Sequence, residues 1–260
     1  MKISCIQMDM RLGAVDENFA RAEALVRETA AREHPDVVVL PETWNTGFFP
    51  ADLDACADRD GQRTKAVFSA LARELGLHIV AGSVASRRAD GFYNTAYVFD
   101  RSGRLAAEYD KTHGFTPSGE RGAFRGGSRL CRFTLEGKRC GLIICYDIRF
   151  PELTRAMALE GLDLLFVPAQ WPAKRTMHLE TLARARAIEN QMFLALCNSA
   201  ASDTLCGGHS AIIDPWGEYL ARAGEGETVI TADADFTVIQ SIRESINVFR
   251  DRRPELYEIR

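Results

Sequence analysis

Four residues of this sequence have the type and setting for acid–base and nucleophilic chemistry. Cys145 closes the apolar run Cys140-Gly-Leu-Ile-Ile-Cys145 and is followed by Tyr146-Asp-Ile-Arg-Phe-Pro151. A thiol at such a strand-to-helix turn lies near a helix N-terminus, where oriented N–H groups favour the thiolate. The next backbone N–H, that of Tyr146, is available as an oxyanion donor. The plainer reading of Cys145 is a buried cysteine packed as a small hydrophobe. Glu42 follows a β-branched run directly, with Leu40-Pro41 before it and Trp44 beyond. A carboxylate at an apolar strand end suits proton transfer, although loop glutamates are more often solvated. Lys111 ends Glu108-Tyr-Asp-Lys111, and Glu120 sits in Ser118-Gly-Glu-Arg121. Each, alone, reads equally as a surface charge.

Alternating strands and helices must position these residues. The runs Lys2–Met8 and Asp36–Leu40 read as strands, separated by a helix that Asp16 can cap, with Phe19, Ala22, Leu25 and Val26 at helical spacing. A second helix is predicted over Gly61–Gly76, then a strand over Leu77–Val84 and a hairpin turning at Arg101-Ser-Gly103. Residues 112–128 hold five Gly and one Pro, and a loop of that length in a compact domain is usually functional. Strands follow at Leu130–Leu135, Lys138–Cys145, Asp163–Val167, Phe193–Asn198, His209–Ile213 and Thr228–Asp233. Helices are expected from Pro151 to Gly161, over Thr176–Gln191 and near Phe236–Glu244. The pattern is a mixed α/β architecture. Asp36-VVVL-Pro41-Glu-Thr-Trp44 and Asp163-LLFV-Pro168-Ala-Gln-Trp171 share one form, and equivalent strands would bring both loops to one sheet edge, where α/β ligand sites gather.

Composition excludes several classes. The 260 residues are 46% hydrophobic and 26% charged, which describes a globular chain rather than a disordered or collagen-like one. A formal charge of −4 gives no electrostatic footprint for nucleic acid or an anionic membrane. No apolar run approaches the ~20 residues of a bilayer span, and the first residues lack a secretory pattern. Seven cysteines without a CxxC pair suggest reduced thiols and a cytoplasmic enzyme. Cys206-Gly-Gly-His209 supplies two ligands where a tetrahedral metal site needs four, so no metal is expected. Gly122–Gly127 lacks the strand-then-helix context of a phosphate loop, and neither His113 nor His178 lies in a cysteine-protease signature.

Taken together, the order and spacing of these segments resemble the nitrilase superfamily of carbon–nitrogen hydrolases. Leu40-Pro41-Glu42 resembles its glutamate motif, Tyr109-Asp-Lys111-Thr-His113 its lysine motif, and Gly141-Leu-Ile-Ile-Cys145-Tyr-Asp-Ile-Arg-Phe-Pro-Glu152 its cysteine motif, 69 and 34 residues apart. Gly119-Glu120, Pro168-Ala-Gln-Trp171, Arg184–Asn190 and Gly208–Gly217 extend the likeness over residues 2–235. The resemblance implies a four-layer αββα sandwich, one domain over residues 1–260, with the tail from about 245 at a subunit interface. It implies Glu42, Lys111 and Cys145 as catalytic residues, Glu120 as a supporting carboxylate, Tyr146 as oxyanion donor, and no cofactor. The chemistry is acyl transfer to water through a thioester.

The substrate follows from finer likeness. Cys145-Tyr-Asp-Ile-Arg-Phe-Pro-Glu152 resembles the omega-amidase branch, which hydrolyses the terminal amide of 2-oxo dicarboxylic acids. Arg149 stands where related N-carbamoyl amino acid amidohydrolases bind a carboxylate, a bidentate contact that guanidinium suits. Its other reading is an ion pair with Glu152 or Asp147. Trp44, Phe115 and Trp171 are expected to line the small-molecule pocket. Alternative substrates are N-carbamoyl amino acids and deaminated glutathione, and the non-enzymatic alternative is a silent binding subunit. A homodimer or higher homo-oligomer is expected, through apolar positions Met157, Leu159 and Met177.

Overall fold

The computed structural model describes residues 1–48, 50, 52–201 and 205–257, so positions 258–260 of the tail lie outside the described residues. In chain order the elements are β1 (Lys2–Gln7), α1 (Val15–Glu33), β2 (Val37–Val39), α2 (Leu53–Cys56), β3 (Asp58–Arg59), α3 (Gln62–Leu75), β4 (His78–Arg88), β5 (Gly91–Phe99) and β6 (Leu105–Asp110). There follow α4 (Glu120–Ala123), β7 (Cys131–Leu135), β8 (Lys138–Leu142), α5 (Pro151–Ala158), β9 (Leu164–Ala169), α6 (Thr176–Asn190), β10 (Phe193–Asn198), β11 (Ala211–Ile213), β12 (Tyr219–Arg222), β13 (Thr228–Asp233) and α7 (Val238–Ser245). One sheet has the order β13-β1-β2-β4-β5-β6 with β3 on β4, and the other the order β12-β11-β10-β9-β8-β7.

Each sheet has a parallel centre, β1-β2-β4 in the first and β8-β9-β10 in the second. Their continuous apolar runs are what strands covered on both faces require. The two-residue period of a strand then sorts the side chains. Ile3, Cys5, Val37, Val39 and Val80 join one core with the second sheet, while Ile6, Val38, Leu40, Ile79 and Ala81 pack against Phe19, Val26, Phe68 and Leu71 of α1 and α3. On the far side of the second sheet, Met157 of α5 and Leu179, Ala183 and Ala187 of α6 close that core. The layers run helix, sheet, sheet, helix, the αββα order expected.

Several local expectations change. Helix α1 begins at Val15 with Ala14 at its cap, and Asp16 lies in the first turn facing Arg63. Residues 112–128 contain a 3₁₀ turn, Thr116–Ser118, and α4. Strand β12 has no counterpart in the sequence reading, because its four residues alternate between half-buried and exposed positions. Met157, expected at a subunit surface, is fully buried under α5, whereas Leu159 and Met177 are exposed. The near part of the tail folds back on its own chain, with Phe249 under the guanidinium groups of Arg155 and Arg243.

Candidate active site

The two echoed segments meet at the facing ends of different sheets, not along one edge. The Glu42 N–H donates to the Ala169 carbonyl at 3.3 Å, and the Gln170 N–H donates back to Glu42 Oε2 at 2.9 Å. Beneath them the pairing of β4 with β5 shifts register between Val80 and Ser83. Gly82 has φ +58°, and a Cβ there would fall 2.0 Å from the Pro41 carbonyl oxygen. Only glycine allows that approach. The Ser83 N–H then reaches the Pro41 carbonyl, and its hydroxyl accepts from the Thr43 N–H. Glu42 is thereby fixed at a rigid strand end and fully buried.

Lys111 leaves the end of β6 beside it. Its ammonium donates to Glu42 Oε1 at 2.8 Å and to both Glu120 oxygens at 2.8 Å. Glu120, at the start of α4, also accepts the Phe115 N–H at 2.7 Å, which ties the glycine-rich segment to the lysine. Burial disfavours the ammonium, but the Glu42 and Glu120 carboxylates outweigh it and hold Lys111 above its ordinary value, fully charged. Removing three charges from water costs several kcal/mol per ion before pairing offsets it, so the cluster is not a source of stability in itself. It fixes a cation beside Cys145, where water does not screen it.

Cys145 opens a 3₁₀ turn, Cys145–Arg149, with φ +47°, a left-handed conformation that non-glycine residues adopt at some energetic cost. The thiol is nearly buried. Burial and then the Glu42 carboxylate push it well above the ordinary thiol value, against the opposing pull of Lys111. The expected thiolate at a helix N-terminus is therefore corrected. Two carboxylates and one ammonium already leave the sealed cluster with one negative charge, and a thiolate would add a second. Cys145 therefore rests as a thiol with the Glu42 carboxylate alongside. The Tyr146 N–H lies in the same turn, one residue after Cys145.

Three residues in this arrangement were not assigned roles from the sequence. Asn94 Nδ2 bridges Glu42 Oε1 at 2.8 Å and Glu120 Oε1 at 3.1 Å. Nothing in its β5 neighbourhood, Phe-Tyr-Asn-Thr, distinguishes it. Gln170 stands in the quoted Pro-Ala-Gln-Trp segment, and its N–H holds Glu42. Asp147, fully buried, accepts from the Tyr109 hydroxyl at 2.8 Å, the His113 N–H at 2.9 Å and the Ile144 N–H at 3.1 Å, and pairs with His113 Nδ1 at 2.8 Å. It joins the residues flanking Lys111 to the turn that presents Cys145.

A cavity of about 270 Å³ opens over Cys145, lined by Lys111, Phe115, Tyr146, Arg149, Trp171 and Arg175 among others. The Arg149 guanidinium stacks 4.6 Å over the Trp171 ring and has His178 at 3.3 Å. It pairs with neither Glu152 nor Asp147. Trp44 is not in this cavity. It is fully buried between Phe19 and Phe68, with Nε1 donating to the Ala81 carbonyl at 2.7 Å. The chain turns back at Thr43 (φ +40°), and the large apolar ring fills the space between sheet and helices. Cys206 also lines the cavity, but His209 turns to Glu180 at 3.2 Å. Among the described residues no group of three His, Cys, Asp or Glu side chains is arranged to hold a metal ion, and no helix is long and apolar enough to cross a membrane.

The carbon–nitrogen hydrolase family model matches residues 2–244. The chain is 44% identical over 257 residues to the 2-oxoglutaramate amidase of Bacillus subtilis (strain 168), covering 98% of each. It is 34% identical over 258 residues to the omega-amidase NIT2 of Bos taurus, covering 94% of this chain and 92% of that one. The crystal structure of XC1258 from Xanthomonas campestris, a CN-hydrolase superfamily protein with an arsenic adduct in its active site, superposes with a TM-score of 0.90 at 30% identity, covering 97% of each chain. A buried Glu-Lys-Cys cluster at the facing ends of two sheets and a match running almost the full length make one conclusion: the chain belongs to the carbon–nitrogen hydrolase family.

Proposed function

We propose that this hydrolase cleaves the terminal amide of a small carboxylate-bearing acid, of the 2-oxoglutaramate class, through a thioester on Cys145. The observation that carries the reading is the Lys111 ammonium shared by Glu42 and Glu120 under the same cavity into which Arg149 projects. Arg149 anchors the substrate carboxylate, with Phe115 and Trp171 as the apolar walls. The amide carbon then lies against Cys145. Glu42 takes the thiol proton as sulfur attacks that carbon, and the oxyanion is held by Lys111 Nζ and the Tyr146 N–H. Losing one such donor costs about 10²–10³ in rate. The tetrahedral species collapses with cleavage of the C–N bond, and the proton on Glu42 leaves with ammonia. Glu42 next deprotonates a water that attacks the thioester carbon. Collapse releases the free acid, and the proton returns to the cysteine sulfur. Glu120 and Asn94 keep Lys111 and Glu42 in register.

The whole chain acts as one such domain in a cytoplasmic homo-oligomer. A cysteine content without a CxxC pair and the exposed Leu159 and Met177 support that part of the reading. The test is ammonia release from 2-oxoglutaramate, succinamate, an N-carbamoyl amino acid, an aliphatic amide and a nitrile, with Cys145→Ser as the blank. Turnover of the first two, lost in the variant, is expected. Turnover confined to the carbamoyl compound would keep the chemistry and replace the substrate. Full activity in Cys145→Ser would end the catalytic assignment.

A further inference from the structure

We infer that Arg175 reads the group on the substrate carbon next to the anchoring carboxylate, favouring an oxygen there and disfavouring an ammonium. This rests on the reading of Arg149 as the carboxylate anchor. Arg175 reaches the cavity from the 3₁₀ turn Ala173–Arg175, whereas Arg149 comes from the turn that Cys145 opens. Both are tied to one indole. The Arg149 guanidinium lies 4.6 Å over the Trp171 ring, and the Trp171 Nε1–H donates to the Arg175 carbonyl at 2.8 Å. The Arg175 guanidinium stands 5.3 Å from the centre of the Phe115 ring on the cavity wall. Aromatic faces hold the two cations in place without consuming their N–H donors.

The charge around them has one sign. Lys174 lines the same cavity, and no Asp or Glu is among its described lining residues. Glu42 and Glu120, the acidic groups below, are engaged by Lys111. A ligand held by its carboxylate at Arg149 presents the adjoining carbon to this cationic wall. A carbonyl oxygen on that carbon accepts from Arg175. A methylene offers it nothing. A protonated amine meets three cations and no described carboxylate, so it is repelled without compensation. A hydrogen bond to a charged donor of this kind corresponds to roughly tenfold to a hundredfold in specificity.

The experiment compares kcat/KM for four amides: 2-oxoglutaramate, glutaramate without the 2-substituent, glutamine and butyramide. The proteins are the unmodified chain, Arg175→Gln and Arg175→Glu. Ratios between substrates within one variant do not depend on how much of it is folded. The expected order is oxo acid, then unsubstituted acid, then amino acid. Arg175→Gln should lower the ratio of 2-oxoglutaramate to glutaramate about tenfold or more, and Arg175→Glu should raise glutamine relative to both. An unchanged ratio in Arg175→Gln overturns the inference while leaving the carboxylate anchor intact, provided the unmodified chain still prefers glutaramate over butyramide. Equal use of butyramide and glutaramate by the unmodified chain removes the anchor and this inference together.

Discussion

Lys111 Nζ lies 2.8 Å from Glu42 Oε1, and both side chains are sealed from solvent although 69 residues separate them in sequence. The contact joins the end of β2 to the end of β6 in the same sheet, and Cys145 is brought over it by the other sheet. The αββα architecture serves to close that triangle.

Removing the ammonium should damage both activity and fold. Lys111→Met leaves the Glu42 and Glu120 carboxylates facing each other without a cation, a change that costs about 3–5 kcal/mol. Chemical denaturation at neutral pH should show that loss. Unchanged stability in Lys111→Met would contradict the charge account.

Asp147→Asn exchanges an acceptor of several N–H and O–H bonds for an amide that matches only some of them. Stability should fall by about 1–3 kcal/mol. The kcat should fall more than KM rises, because the defect displaces Cys145 relative to Lys111 rather than altering the walls of the cavity. Steady-state kinetics and thermal melts of Asp147→Asn and His113→Gln distinguish these effects, and a pure KM change would count against the brace.

The raised thiol fixes a pH dependence. Below its folded value Cys145 is protonated, so its alkylation by iodoacetamide should be slow at pH 7 and rise only at pH well above the ordinary thiol value. Glu42→Gln removes the negative charge that raises the thiol and leaves Lys111, which lowers it. The inflection of the alkylation profile should therefore move to lower pH. A shift upward would mean that Glu42 does not bear on the thiol.

Cys131 and Cys140 give a second pH effect through stability. Burial pushes each thiol up to about 12 in the folded chain. Above about pH 8.5 the unfolded chain ionises them while the folded chain does not, so the unfolded state holds fewer protons and stability falls with rising pH. The decline is about 1.4 kcal/mol per pH unit for each thiol, until its folded value is reached. The double variant Cys131→Ala, Cys140→Ala should start less stable and decline less steeply between pH 9 and 11, as denaturant titrations at each pH would reveal.

Trp44→Leu separates core from cavity. The indole is packed among Phe19, Phe68 and the strand backbone, so its truncation should cost about 3 kcal/mol. KM for the amide should stay close to that of the unmodified chain. A KM raised tenfold with unchanged stability would return Trp44 to the substrate pocket.

The residues themselves explain what was legible in the sequence. Buried parallel strands such as Val37–Val39 and Leu164–Ala169 announce themselves through unbroken apolar runs, and the turns after them through Pro41 and Pro168. Their endpoints carry Glu42 and Gln170, so the repeated form pointed to the right place, though at the meeting of two sheets rather than one edge. Asn94 was not legible, because a polar residue inside an apolar strand has no periodic signature until its two carboxylate partners converge on it from distant segments. The direction of the Cys145 shift is illegible for a similar reason. Sequence shows the helix that follows the thiol, but not the buried carboxylate that folding brings against it. Trp44 failed as a pocket residue because adjacency to Glu42 does not tell which way the chain turns at Thr43.

The most direct test of the central claim is intact-protein and peptide mass spectrometry of the enzyme, acid-quenched during turnover of 2-oxoglutaramate. The expected result is an adduct equal in mass to the product acid less water, mapped to Cys145 and absent from Cys145→Ser, which should release no ammonia. An adduct on another residue, or ammonia release by Cys145→Ser at the rate of the unmodified chain, would contradict it.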